Sequence, residues 1–440
     1  MGALASKAAR LDGGASAAGE ARARVPISTG GPVRRFLSFA GPGALVAVGY
    51  IDPGNWAADL AGGSRFSYAL LSVVLLSGLM AMVLQALSVR LGVGAGQDLA
   101  EASRDAWPRA APVLWGLAEI AVAATDLAEL LGSAIALELL FGIPIAAGVA
   151  LTAADVLVLL GLERRGVRRL EAGVLALVLV VALSFAFELL LCHPDGRAVL
   201  AGYVPGPALF RDGQMLYLAV AILGATVMPH NLYLHSSLVQ TRAFDRGEPG
   251  KRDALRNATL DTVLSLGGAL LINSAILVVA AAVFHRAGRI EVADLRDAHR
   301  LLSPLLGSRV AGPVFALALL AAGQSATITS TMAGQVVMTG FLRLRLRPWA
   351  RRLTTRSLAL IPALAVALAA GEKGTAELLL ASQVVLSLHL PFAVLPLLRL
   401  TADRRRMGAL VSPRWLTALG WACAAVILVL NGYLLVTLVR

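Results

Sequence analysis

Apolar runs of about twenty residues follow one another from position 36 to position 438, and they constrain this 440-residue chain more than any other feature. A helix needs about twenty such residues to cross the roughly 30 Å of bilayer hydrocarbon, where only helices and closed barrels satisfy their own backbone. Hydrophobic residues make up 58% of the chain and charged residues 15%. Soluble domains hold about 45–50% and about 25%, so a soluble fold is excluded. The sequence specifies an all-α polytopic membrane protein. Its two cysteines, Cys192 and Cys423, are too few for a disulfide framework or a cysteine metal cluster.

Eleven spans are predicted, near 36–60, 66–91, 111–140, 144–162, 170–191, 214–239, 258–284, 310–342, 353–371, 376–399 and 415–438. Residues 1–35, rich in Ala, Gly and Arg, have no apolar core and read as a disordered cytoplasmic tail, not a cleavable signal peptide. Residues 36–440 then form one membrane domain. With the N-terminus cytoplasmic, most of the 39 lysines and arginines fall on the inner side, including Arg164, Arg165, Arg168 and Arg169 in one loop and Arg404, Arg405 and Arg406 in another. This is the positive-inside asymmetry. The net charge of +12 is therefore an orientation signal facing anionic lipid in a cell (plasma) membrane, and no nucleic-acid partner is implied. An odd number of spans places Arg440 outside. The loop from His285 to Arg309 is the longest outer one and offers no recognisable chemistry.

The first and sixth spans each carry a proline among polar groups: Asp52-Pro53-Gly54-Asn55 and Met228-Pro229-His230-Asn231. Proline removes a backbone donor and clashes with the preceding turn, so each helix is expected to unwind there. Unwound backbone at membrane depth requires surrounding protein or a water-filled cavity. A single proline kink commonly has no ligand. Two breaks five spans apart lie in segments of opposite direction, the arrangement of a five-plus-five inverted repeat with a binding site between discontinuous helices. The repeats run from about 36 to 191 and from about 214 to 399, and the span at 415–438 is an additional eleventh helix.

Asp52 within an apolar span costs roughly 2.5–3.5 kcal/mol on insertion scales and needs a partner, which a cation supplies. Asn55 offers an amide oxygen, the carbonyls of Gly49 and Ala225 offer neutral oxygens, and Met228 offers a thioether. Oxygen ligands alone suit Mg²⁺ or Ca²⁺, whereas soft sulfur favours Mn²⁺, Fe²⁺, Co²⁺ or Cd²⁺. The competing role for Met228 is a gap-filling core side chain.

On the third span Glu119, Asp126 and Glu129 stand at i, i+7 and i+10, close to one helical face. Such a row can carry protons, with Arg351, Arg352 and Arg356 as partners, or it can only fix packing through buried ion pairs. His230, at the second break, can change charge near neutral pH. His235 and His389 read as hydrogen-bonded packing residues. Gln383 in the tenth span is an extra metal ligand candidate. The polar run Gln324–Thr331 either lines a water path or makes interhelical hydrogen bonds.

In these segments the chain closely resembles the Nramp (natural resistance-associated macrophage protein) family of proton-coupled metal-ion transporters. The resemblance rests on GYIDPGNWAADLAGGSRF, ATDLAELLGSAIAL, GATVMPHNLYLHSSLVQTR, GQSATITSTMAGQ and SQVVLSLHLPFAVLP, and covers about residues 36–438. It implies a LeuT-like fold, alternating access, and import of Mn²⁺, Fe²⁺, Cd²⁺ or Co²⁺ together with protons, with these ions as substrates and no resident cofactor. It further implies Asp52, Asn55 and Met228 as ligands with the Ala225 carbonyl nearby and Gln383 joining in one state, and Asp126, Glu129 and His230 on the proton route. Gly78 and His389 depart from the family's usual Asn and Gln. A sodium-coupled amino-acid symporter shares the fold but needs no Asp beside a Met. A channel does not need two midplane breaks, a receptor needs a signalling domain, and no nucleophile or nucleotide loop points to an enzyme.

Overall fold

The computed structural model describes residues 25–153, 167–343 and 371–439, except positions 29 and 293, together with 361, 364 and 365. Short helix α1 (Pro32–Phe39) leads into α2 (Pro42–Gly49) and α3 (Pro53–Phe66), which are the two halves of the first span. Then come α4 (Leu71–Ala95), α5 (Leu99–Ala106), α6 (Ala111–Phe141), α7 (Ile145–Ala153), α8 (Val167–Cys192) and α9 (Gly196–Gly202). The sixth span is likewise split, into α10 (Gly213–Thr226) and α11 (Pro229–Leu238). The chain continues through α12 (Glu248–Ala280), α13 (Leu295–Leu306), α14 (Ala311–Leu342), α15 (Gly371–Ala402), α16 (Arg404–Met407) and α17 (Arg414–Val439). Among the described residues eight helices are long and apolar enough to cross a membrane. The expected span at 353–371 lies almost wholly outside the described residues, and the one at 144–162 is described only as far as 153.

Both breaks follow from local chemistry. Asp52 is extended (φ −69°, ψ 165°), and its carboxylate caps α3 by accepting from the Asn55 backbone N–H at 2.8 Å, with Pro53 in the first turn. Aspartate at the cap followed by proline is a strong helix start. Met228 is extended too (φ −83°, ψ 124°) ahead of Pro229, and provides no side-chain cap. The Trp56 indole N–H donates to the Ile51 carbonyl at 3.1 Å, tying α3 to the unwound segment. Its ring meets Phe185 of α8 and Phe315 of α14 edge-on, at 4.8 and 5.2 Å between centroids. In lipid, such van der Waals packing takes the place of a hydrophobic driving force between helices.

Two sequence expectations need correction. Residues 1–35 are not uniformly a disordered tail: Val25–Pro26 pairs in parallel with Arg242–Ala243, the Val25 side chain is buried, and Arg35 meets Asp253 at 2.8 Å. These contacts come from residues more than 200 positions away, beyond the reach of local composition. The loop 285–309, expected on the outer side, contains α13, anchored by buried Arg296 against Glu138 of α6 at 2.6 Å.

At the side expected to face the cytoplasm, charged groups hold the start of α2. Arg242, beyond the end of α11, donates to the carbonyls of Phe39 and Ala40 at 3.0 Å each and pairs with Glu171 of α8 at 2.6 Å. Arg168 adds a bond to the Ala40 carbonyl at 2.6 Å. The Asp261 carboxylate on α12 accepts from the backbone N–H groups of Gly41 and Gly43 at 3.2 and 2.7 Å, an anion seated on a helix N-terminus.

Candidate functional site

The two breaks come together in the protein interior. The Asn55 side-chain NH₂ donates to Asp52 Oδ1 at 2.7 Å and to the Ala225 carbonyl at 3.0 Å, and stands 3.5 Å from the Gly49 carbonyl. Three oxygens from two broken helices thus converge on one point. Asn273 of α12 buttresses the group, donating to the Tyr50 carbonyl at 2.7 Å and reaching Asn55 Oδ1 at 3.4 Å. From the second break the Asn231 amide reaches the Met228 sulfur at 3.6 Å. That amide lies where a side chain on Gly49 would be, 2.3 Å from the position a Cβ would take. Gln383 of α15 occupies the corresponding space at Gly54, 2.0 Å from such a Cβ. Glycine at these two positions lets the amides approach the unwound backbone.

Asp52, Met228, Ala225 and Gln383 are all 0% exposed and Asn55 is 1% exposed, so the site is sealed from both sides. Inside this shell Asp52 Oδ2, Asn231 Oδ1, Asn273 Oδ1 and Gln383 Oε1 are buried without a hydrogen-bond partner. All four are acceptors. Buried polar atoms ordinarily find partners, and a group of oxygens lacking donors has the chemistry of a cation site.

The acidic row on α6 is also buried: Glu119 lies at the limit of burial, while Asp126 and Glu129 are deeply enclosed. The Ser330 hydroxyl of α14 stands 2.7 Å from Asp126 Oδ1 and 2.7 Å from Glu129 Oε2. A hydroxyl has one hydrogen to donate. The second contact is a hydrogen bond only when that carboxyl itself carries a proton. His230 joins this region through Thr125, with Nδ1 3.3 Å from Oγ1. Arg351, Arg352 and Arg356 lie outside the described residues. His235 bonds Gln85 at 2.9 Å, and Gln85 donates to the Tyr50 hydroxyl at 2.8 Å. His389 bonds the carbonyl one turn back, at Val385, at 2.7 Å. At Gly78, where the family resemblance expects an amide, Leu270 of α12 fills the space, 2.8 Å from where a Cβ would sit.

Reading the sequence missed Ser330, Thr125, Asn273, Gln85 and the contacts of Asn231. Ser330 belongs to the polar run Gln324–Thr331, and Asn231 is the counterpart of Asn55 at the second break. Thr125, Asn273 and Gln85 carried no local signal.

An interrupted first helix and an interrupted sixth helix, meeting around buried oxygens with a further helix beyond the repeats, define a LeuT-like membrane protein of five-plus-five inverted-repeat architecture. The profile described as natural resistance-associated macrophage protein-like matches residues 43–437, and the chain belongs to the Nramp family. It is 56% identical over 419 residues to the divalent metal cation transporter MntH of Xanthomonas campestris pv. campestris, covering 95% of this chain and 94% of that one. It is also 56% identical to the protein of the same name from Nostoc sp., over 91% of each chain. The crystal structure of the Eremococcus coleocola manganese transporter with an aromatic bis-isothiourea substituted compound superposes with a TM-score of 0.85 at 37% identity, covering 93% of this chain and 88% of that one. Mhp1, a nucleobase-cation-symport-1 family transporter, shares the fold alone, with a TM-score of 0.61 at 14% identity.

Proposed function

We propose that this protein imports divalent transition-metal ions, Mn²⁺ and Fe²⁺ with Cd²⁺ and Co²⁺ as further substrates, together with protons, by alternating access across the cell membrane. The observation that carries this reading is the convergence of Asp52 Oδ1 and the carbonyls of Ala225 and Gly49 on one point, with the Asn231 amide linking the Gly49 backbone to the Met228 sulfur. Asp52 supplies the negative charge. Asn55 serves as a ligand by turning its amide so that the oxygen replaces the NH₂, and Gln383 adds its unpaired oxygen when α3 and α15 rearrange. The thioether of Met228 disfavours the hard ions Ca²⁺ and Mg²⁺, which gain little from sulfur.

Protons take a separate course. Asp126 and Glu129, joined by Ser330, hold a proton between them. His230 and Thr125 connect the second break to this pair, Glu119 lies two turns away on the same helix, and Arg351, Arg352 and Arg356 are the positive partners expected there. The relatives named as metal cation and manganese transporters support the substrate class. The N-terminus faces the cytoplasm and the C-terminus the outside, following the distribution of Lys and Arg.

Uptake of Mn²⁺ and of Ca²⁺ into proteoliposomes, with and without an inward proton gradient, tests the reading. Mn²⁺ accumulation accelerated by the gradient, accompanied by internal acidification and with Ca²⁺ excluded, is expected. Uptake of Mn²⁺ without any proton movement would remove the coupling, and equal uptake of Ca²⁺ would remove the selectivity.

A further inference from the structure

An apolar cavity of about 490 Å³ runs along the back of α2, between α8 and α12. Small residues face it from all three helices: Ala44 and Ala47 on α2, Ala182 on α8, and Gly268 and Ala269 on α12. Small residues ordinarily let membrane helices touch. Here the three helices pack against one another and still leave a groove between them. Its one polar lining side chain, Ser265, turns its hydroxyl toward Asp261 Oδ1 at 3.5 Å. Water held in a protein interior needs two to four polar partners and finds at most the Ser265 hydroxyl here, while a dry gap forfeits the dispersion contacts of its walls.

The groove opens sideways. Leu175 and Leu179 on α8 and Leu264 and Leu271 on α12 flank it and are 56%, 56%, 59% and 71% exposed, so its mouth faces hydrocarbon. Along α8 it extends from Leu175 to Leu189, roughly 21 Å at about 1.5 Å per residue. Spreading 490 Å³ over that length leaves a mean cross-section of about 23 Å², a channel one hydrocarbon chain wide. About two helical turns beyond Leu175 and Leu264 stand Arg169 and Arg256, both exposed, where an anionic headgroup meets positive charge.

We propose that this groove binds one acyl chain of a bilayer phospholipid, which fills the space behind α2 and braces the half-helix that runs into the first break. Ile51, the last α2-side residue on the groove, directly precedes Asp52.

A natural reporter stands next to the groove. Trp56 is fully buried, and its ring lies 4.8 Å from that of Phe185, which lines the groove. The full-length chain retaining Trp56 alone, with the other tryptophans changed to phenylalanine, is reconstituted in phosphatidylglycerol carrying a dibrominated acyl chain and compared with the unbrominated lipid. Bromine quenches indole fluorescence only over a short range, and Phe185, in edge-on contact with the indole, is itself a wall of the groove. At least a twofold loss of Trp56 fluorescence is expected. Gly268→Phe, at a position where a Cβ meets nothing within 4 Å, fills the groove and is expected to restore most of the signal; Ala182→Phe fills it from the opposite wall. Because the two fillers enter from different helices, a folding failure in one leaves the other as the test. Unquenched Trp56, or equal quenching in the parent and a folded filler variant, would overturn the proposal. Fluorescence reads the lipid directly and does not depend on transport.

Discussion

Asp52→Asn separates the charge of the site from its architecture. Asparagine caps a helix about as well as aspartate, so its oxygen can still accept from the Asn55 backbone N–H, now at 2.8 Å, and α3 should start where it does. What disappears is the formal negative charge. Two unit charges about 4 Å apart at an effective dielectric of about 20 interact by about 4 kcal/mol, which doubles for a divalent ion. Taking only half of that to allow for desolvation, the loss is still about 4 kcal/mol, roughly a thousandfold in affinity. Calorimetric titration of the purified variant with Mn²⁺, with thermal unfolding measured in parallel, is the assay. Binding should fall below detection while unfolding shifts little. Mn²⁺ affinity within tenfold of the parent would refute the reasoning, because no rearrangement of neutral oxygens replaces the charge so completely.

Met228→Ala is expected to weaken Cd²⁺ binding most, keep Mn²⁺ uptake and admit Ca²⁺; calorimetry showing intact Cd²⁺ binding with Ca²⁺ still excluded makes Met228 a packing residue. Asp126→Asn should flatten the pH dependence of Mn²⁺ uptake while metal affinity holds, and an unchanged pH profile with lost affinity would make Asp126 part of the metal site instead. Glu188 on α8 is 0% exposed and neither carboxylate oxygen has a hydrogen-bond partner. Glu188→Leu removes that unpaired group, so unfolding in detergent should become harder by about 1–3 kcal/mol; a loss of stability would argue that the carboxyl holds a proton or partner the protein depends on.

Much of the candidate site's geometry was legible because its causes are local. Proline within an apolar run breaks a helix wherever the rest of the chain goes, so both breaks could be read directly and Asp52, Asn55 and Met228 followed from them. The row on α6 needed only helical spacing. Ser330 joins Asp126 to Glu129 from more than 200 residues away, and in the sequence it looks no different from the hydroxyl residues around it. Asn273 and Gln85 are single amides in apolar helices, and nothing nearby announces that one supports the Tyr50 carbonyl and the other the Tyr50 hydroxyl. Helix α13 has no long apolar run to mark it in the sequence, and its anchor is the ion pair of Arg296 with Glu138.

The bonds at the start of α2 amount to a latch with a calculable strength. Two from Arg242, one from Arg168 and two to Asp261 hold the stretch from Phe39 to Gly43 to elements far away in sequence. At about 1 kcal/mol net for each, releasing all five costs roughly 5 kcal/mol, an equilibrium bias of a few thousandfold toward the sealed form. On the alternating-access reading proposed above, a latch of that size still releases thermally, and a cation bound between the half-helices needs to return only part of the energy to shift the balance. If α2 moves as the proposed alternating access requires, weakening the latch by one bond shifts the balance between closed and open forms by about fivefold, so that balance is set residue by residue at this end, well away from the oxygens around Asp52.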